Sequence, residues 1–550
     1  MKHILFVCAL FLVFASPPTV AQTPANISIR IDELFEPWAS VDTPGCAVGI
    51  AKDGLTVFER AYGMADLEWE IPNSTETIFE AGSVSKQFTA AAVVLIALDG
   101  RLRLDDDIRK YIPEVPDYGH KITIRHLLSH TSGLRDWGRI VEISGWDRER
   151  RAHTQADVLD ILSRQTRLNH EPGTMFAYTN SGFNLLAILV DRVSGMSFVQ
   201  FSNERIFQPL GLEHTQWRDD HRRIIKGRSS AYNVRDNGAV EINRPIEDVY
   251  GNGGLLTTIG DLLSWNQALT DERFGPDFKL MMETPARLDD GRTIEYAYGL
   301  RVGDQAGMPA IYHAGSRAGY RSYTGRIPEA GLAWAFLCNA SNGRPEATRI
   351  AVLREFLGDM TPPKPVPPEG VSITEARVRE LAGVYRNPLD GSIMTLTAQD
   401  GRLYREQDQL IPISDSEFVL GATGQAVSFE DADNKRHRAH LDIQLPTWQA
   451  FDVTFEQVEP WRPTPRQLTE FTGTFHSDDA ETTYQIRIKN GQLVAWRRPD
   501  VTIGLAPIYR DGFQAGGGIV WFRRDGSGHV SELSLGLPRV FDMRFQKIRD

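Results

Sequence analysis

Cysteine is scarce, three in 550 residues, with neither the paired spacing of a zinc site nor the density of a disulfide scaffold. Stability must therefore come from a large core, which a chain with 41% hydrophobic and 24% charged residues can build. Positive charge is in deficit: 60 Lys and Arg against 72 Asp and Glu leave a net charge of −12. That leaves no basic footprint for nucleic acid or an anionic membrane surface. No stretch has the run of roughly 20 apolar residues that an integral membrane span needs. Two hydrolase signatures are also missing. Without Gly-x-Ser-x-Gly an α/β-hydrolase elbow is not expected, and without His-Glu-x-x-His the i, i+4 pair His126 and His130 is expected to be structural rather than metal-binding.

What is present begins with Met1–Ala21, which has the three parts of a secretory signal: Lys2 and His3, an apolar run from Ile4 to Ala15, and small residues ending at Ala21. Export to the periplasm or medium, with cleavage near Ala21, is the expectation. Cys8 lies inside the apolar run, which argues against lipid attachment. Cys46 and Cys338 each lie in an apolar, strand-like stretch, and two buried free thiols are expected in preference to a bridge between adjacent strands.

Residues 359–372 form a proline-rich linker that divides the chain. Before it, residues 22–358 alternate strand and helix signals. Asp53-Gly54 suits a tight turn between strands Gly45–Lys52 and Leu55–Ala61, and helices are expected at Gln87–Leu98, Asn184–Val193 and Gly260–Leu269. Strand signals return over Ile311–Arg326 and Leu332–Asn339, so the two ends of this region are expected to share one sheet of an α/β (α+β) sandwich. After the linker the sequence repeats. Leu381-Ala382-Gly383-Val384-Tyr385 corresponds to Phe471-Thr472-Gly473-Thr474-Phe475 and Asp400-Gly401 to Asn490-Gly491, an offset of 90 residues in both blocks (383 to 473, 401 to 491). Two small antiparallel β-barrels are expected, at 373–462 and 463–550.

Ser83-Val84-Ser85-Lys86 places Lys86 one helical turn beyond Ser83 on the same face, where its amine can reach the hydroxyl; serine needs such a base to become a nucleophile. Taken alone, the same residues read as an N-cap serine and a solvated lysine. Tyr-x-Asn occurs three times, but only Tyr178-Thr179-Asn180 falls on a loop before a predicted helix, where a tyrosine near lysine can shuttle a proton. His313-Ala314-Gly315 opens a strand signal, and Gly315 would let a substrate backbone approach.

In this order the three motifs resemble those of the penicillin-recognising serine hydrolases, in the branch related to class C β-lactamases. Ile122–Leu134, which holds both histidines of the i, i+4 pair, and Gly253–Thr258 resemble framework segments of that branch. The resemblance implies a β-lactamase/transpeptidase-like sandwich, an antiparallel sheet flanked by helices, followed here by two lipocalin-like barrels. It further implies Ser83 as the acylated nucleophile with Lys86 and Tyr178 sharing general-base and general-acid work. Asn180 would hold a substrate amide, His313 would stand where many relatives have lysine, and the backbone N–H groups of Ser83 and Ser316 would form the oxyanion hole. Histidine in that position is more typical of D-aminopeptidases, esterases and amide hydrolases than of strong β-lactamases. Two barrels after the catalytic region resemble the D-aminopeptidase layout, in which a barrel loop reaches the active-site mouth. Asp431–Arg436 and Gly516–Gly518 are candidates for such a loop but are expected to be ordinary hairpin tips.

The expected function is an exported serine hydrolase that cleaves an amide of small D-amino-acid-containing peptides through a Ser83 acyl-enzyme, without metal or organic cofactor. The alternatives are an esterase or weak β-lactamase, or a non-catalytic peptide-binding protein. Oligomeric state is not legible in the sequence.

Overall fold

The computed structural model describes residues 25–343, 345–358, 368–422, 424–432, 436–444 and 449–548. The expected signal segment and residues 359–367 of the linker lie outside the described residues.

Asp53 and Gly54 take φ values of 51° and 80°, and they fold strand Cys46–Lys52 back onto Leu55–Tyr62. This hairpin joins four strands from the far end of the catalytic region in one antiparallel six-stranded sheet. The order is Arg301–Gln305, Met308–Arg317, Tyr320–Ile327, Leu332–Cys338, Cys46–Lys52, Leu55–Tyr62. The two ends of the region thus share a sheet, as their strand signals imply. The run Ile311–Arg326 is not one strand but parts of two, because Ala318 at φ 49° and Gly319 turn the chain between Arg317 and Tyr320. The cysteines also depart from expectation. Cys46 lies directly opposite Cys338 in the sheet register, and a disulfide joins them. Each strand shows its apolar character in sequence, but the register that sets two thiols 292 positions apart face to face belongs to the sheet alone.

Three helices carry or support the site. Helix Ser85–Leu98 is apolar on all sides and buried from Ser85 to Ile96, so it forms the centre of the domain. Each large apolar side chain it buries, such as Phe88 packed on Trp265, stabilises the fold by about 1.5–3 kcal/mol. Helix Asn180–Ser194 packs beside it and stops at Gly195, which supplies the left-handed C-cap. Helix Ile259–Thr270, N-capped by Thr258, lies against the sheet. Among the described residues no single helix is long and apolar enough to cross a membrane.

The repeated half forms two closed eight-stranded barrels, Gly383–Val458 and Gly473–Ile548. The equivalent turns match: Asp400-Gly401 has φ 50° and 71°, Asn490-Gly491 54° and 76°. The barrels attach differently. The first has a separate core around Tyr385, Phe418 and Phe429, whereas the core of the second is continuous with that of the catalytic domain. Buried polar contacts hold the second barrel in place: Arg135 pairs with Asp479 at 2.8 Å, Tyr484 donates to the carbonyl of Ile143, and Asn169 clasps the turn at residues 538–541 through Arg539 O and Phe541 N.

Candidate active site

Ser83 sits in a single 3₁₀ turn, Gly82–Val84, that runs directly into helix Ser85–Leu98. Its geometry depends on close approach to strand Met308–Arg317. Gly82 has φ 51°, and a Cβ on it would stand 2.7 Å from Ser316 N. A Cβ on Gly315 would collide with Ala81 O and Ser322 Oγ and stand 3.0 Å from Ser83 N. The two glycines therefore let the turn carrying Ser83 and the strand carrying Ser316 approach closely, as an oxyanion hole built from their two backbone N–H groups requires.

Lys86 is fully buried. Its Nζ lies 3.1 Å from Ser83 Oγ, 2.9 Å from Asn180 Oδ1 and 2.6 Å from the carbonyl oxygen of Asn252. Burial, and after it the charge of Arg539, holds its pKa well below the ordinary lysine value. Asn180 begins its helix and donates its backbone N–H to Asp136 Oδ2 at 2.7 Å. Its side-chain oxygen is occupied by Lys86. Tyr178 lies between the two-residue strand Phe176–Ala177 and that helix, and Lys86 Nζ is 4.9 Å from its ring centroid. Burial pushes Tyr178 up to about 12, opposed by a hydrogen bond with Ser83 and by the charge of Arg539.

His313 joins the site as a neutral ring. Its neighbours define a directed chain of hydrogen bonds. Thr179 N–H donates to His130 Nδ1 at 3.3 Å, which leaves the proton of that ring on Nε2, 3.1 Å from Tyr296 OH. The Tyr296 hydroxyl then donates to His313 Nε2 at 3.0 Å, and His313 Nδ1–H donates to the carbonyl of Ala314. Both imidazoles are neutral in this arrangement. Burial first, and then the positive charge that Lys86 would carry if protonated, push His313 down to about 3 and His130 in the same direction. The third motif thus brings no cation to the position that lysine fills in many relatives.

A consequence for stability follows. His313 resists protonation in the fold, while the unfolded chain binds a proton below about 6.5, so its contribution is complete above pH 6.5 and is lost as pH falls toward 3. Melting temperatures are expected to drop steeply between pH 7 and pH 4, with a shallower slope for His313→Gln.

The six residues singled out in the three motifs, Ser83, Lys86, Tyr178, Asn180, His313 and Gly315, fall in this one place together with Ser316. Sequence reasoning missed His130, Tyr296, Asp136 and Arg539. His130 is not on a helix face with His126: helix Ile124–Leu128 ends first, and His130 turns at φ 58° onto the ring of Tyr178, 4.1 Å between centroids. His126 instead accepts from Thr123 N to close a capping box. Arg539 arrives from the second barrel, its Cζ 5.0 Å from the Tyr178 centroid. The first barrel reaches the site as well. Its strand Gln449–Val458 pairs with Phe176–Ala177, directly before Tyr178. This contact is made by a strand, a route not considered from sequence. Gly516 and Gly517 have open space around them, as a hairpin tip does, and residues 433–435 lie outside the described residues.

Among the described residues, one group has the composition of a metal site: Asp220, His221 and Asp248, with ligand atoms within 4.8 Å of one another. Its carboxylates already have protein partners, Arg222 for Asp220 and His221 for Asp248.

Residues 31–357 match the beta-lactamase family. Penicillin-binding protein 4* of Bacillus subtilis (strain 168) is 29% identical over 433 residues, covering 73% of this chain and 94% of that protein. A D-aminopeptidase of Brucella anthropi is 29% identical over 309 residues, 55% of this chain and 57% of the relative, so the match spans little more than half of that enzyme. Among solved structures, the octameric penicillin-binding protein homologue from Pyrococcus abyssi aligns with a TM-score of 0.54 at 22% identity, covering 78% of this chain and 99% of that one.

Proposed function

Because this chain belongs to the beta-lactamase family and is a serine hydrolase acting on amide bonds, we propose that it cleaves D-amino-acid-containing peptides or amides through a Ser83 acyl-enzyme. One observation carries the mechanism. A neutral lysine amine has two N–H donors and one lone pair. Two neighbours of Lys86 Nζ, Asn180 Oδ1 and the Asn252 carbonyl, can only accept, so they take the two donors and the lone pair faces the Ser83 hydroxyl. Full burial favours that neutral form.

Ser83 Oγ then attacks the substrate carbonyl carbon while its proton passes to Lys86 or Tyr178. The carbonyl oxygen gains the electron pair and is held by the N–H groups of Ser83 and Ser316. When the tetrahedral intermediate collapses, the C–N bond breaks and Tyr178 returns a proton to the leaving amine. Water releases the acyl group by the reverse proton path. His313 is neutral, so a substrate carboxylate finds no cation there. This supports an amidase or aminopeptidase over a β-lactamase. Export to the periplasm or medium is part of the same reading, supported by the signal-like Met1–Ala21 and by the Cys46–Cys338 disulfide, which suits an oxidising compartment.

The test is intact-mass spectrometry with a fluorophosphonate and with penicillin, on wild type and Ser83→Ala. One fluorophosphonate adduct on wild type and none on the variant is the expected result. A wild type that stays unmodified by both reagents and hydrolyses neither D-alanyl anilide nor a nitrophenyl ester would leave the peptide-binding alternative standing.

A further inference from the structure

Tyr178 is flanked by two basic side chains of different origin. Lys86 Nζ lies 4.9 Å from its ring centroid, and Arg539 Cζ, from the second barrel, lies 5.0 Å from it. The backbone at Arg539 is unusual. Pro538 and Arg539 link strands Val530–Leu537 and Val540–Ile548, and Arg539 has φ 75°, a conformation that favours glycine. An arginine kept where glycine would be easier, with its half-buried side chain on the ring of a catalytic tyrosine, marks strain retained for a purpose. The turn is also docked by its main chain. Arg539 O accepts from Asp136 N at 3.1 Å and from Asn169 Nδ2 at 2.9 Å.

We propose that Arg539 is a positioning residue of the catalytic site, a guanidinium that the second barrel places on Tyr178 to keep Lys86 and Tyr178 ready to take the Ser83 proton. The inference rests on the acyl-enzyme reading above. The other groups facing Tyr178 are Ser83 and Lys86 from the serine turn and its helix, and His130 from the loop after Ile124–Leu128. Tyr296, Arg301 and His313 come from the sheet side, and Asp136 from the N-cap of helix Trp137–Ser144. Both histidines are neutral, Asp136 pairs with Arg539, its Oδ2 3.7 Å from Nη1, and Arg139 and Arg148 add positive charge around Arg539. Arg539 therefore acts on both proton acceptors in one direction. Its charge favours the phenolate of Tyr178 and the neutral amine of Lys86. Whichever group takes the Ser83 proton, removing Arg539 makes that group harder to deprotonate.

The pH dependence of Ser83 phosphonylation tests this without knowledge of the natural substrate. With a fluorophosphonate, the Oγ–P bond forms, the P–F bond breaks, fluoride leaves and the hydroxyl proton passes to the base. Full-length wild type, Arg539→Gly, Arg539→Gln and Arg539→Lys are compared from pH 5 to 10. Arg539→Gly relieves the left-handed strain, so loss of folding is not expected to obscure the result. The midpoint of the acidic limb is expected to move up by about 1–2 pH units in the Gly and Gln variants and to stay near wild type in Arg539→Lys. An unchanged midpoint in the Gly variant, with or without a lower plateau, would overturn the proposal, as would a shift in Arg539→Lys equal to that in Arg539→Gln. A wild type that forms no Ser83 adduct at any pH would instead sink the acyl-enzyme reading itself.

Discussion

Lys86→Met is expected to slow acylation of Ser83 by about 10³-fold or more, the upper range for loss of a positioned general base. Methionine matches the length and apolar stem of lysine, so the packing against Phe183 is kept. The hydroxyl of Ser83 then has no lone pair at 3.1 Å to receive its proton. Raising the pH should not restore the rate, because the variant has no amine to deprotonate. Single-turnover labelling with a fluorophosphonate, followed by intact mass, measures the effect. A variant within tenfold of wild type would show that Tyr178 alone serves as base.

Gly315→Ala should be nearly as damaging, for a different reason. One methyl group there would overlap Ala81 O and Ser322 Oγ, so the strand carrying Ser316 must move away from the turn carrying Ser83. The two oxyanion donors separate, and loss of one such donor costs about 10²–10³-fold in kcat. The variant is also expected to melt at a lower temperature, since overpacking a rigid contact costs about 1–3 kcal/mol. Gly504→Ala, with nothing within 4 Å of the added carbon, is the control that should leave both quantities unchanged. Hydrolysis of a nitrophenyl ester and thermal melts of the three proteins give the comparison.

Features set by local chemistry were legible in the sequence. The Asp53-Gly54 turn, the helix stop at Gly195 and the paired hairpins of the repeated half depend on a few neighbouring residues, and each is found where those residues predict it. Ser83 and Lys86 were legible for the same reason, being one helical turn apart. What depends on register or docking was not. Nothing near Cys46 indicates that it faces Cys338, and nothing in the i, i+4 spacing of His126 and His130 shows that the chain leaves the helix between them. Tyr296 and His130 acquire their roles only through the hydrogen bonds that run from Thr179 to Ala314. Arg539 is 361 positions from Tyr178 (539 − 178), and its one local mark, an arginine after proline in a two-residue turn, becomes informative only once φ is known.

The placement of strand Cys46–Lys52 between Leu55–Tyr62 and Leu332–Cys338 has a consequence for how the molecule is made. A chain leaving the ribosome exposes the first hairpin early, but that hairpin's inner edge stays unpaired until 270 further residues (332 − 62) have been synthesised. Contacts this distant in sequence form slowly, because a long loop must close before any of them stabilises the product. Until then Val48 and Ile50, buried in the finished sheet, present an open edge on which other chains can pair. Assembly of the sheet is therefore a late event for its first hairpin, and a holding chaperone that covers that hairpin should raise the yield of active protein more than one acting on either barrel.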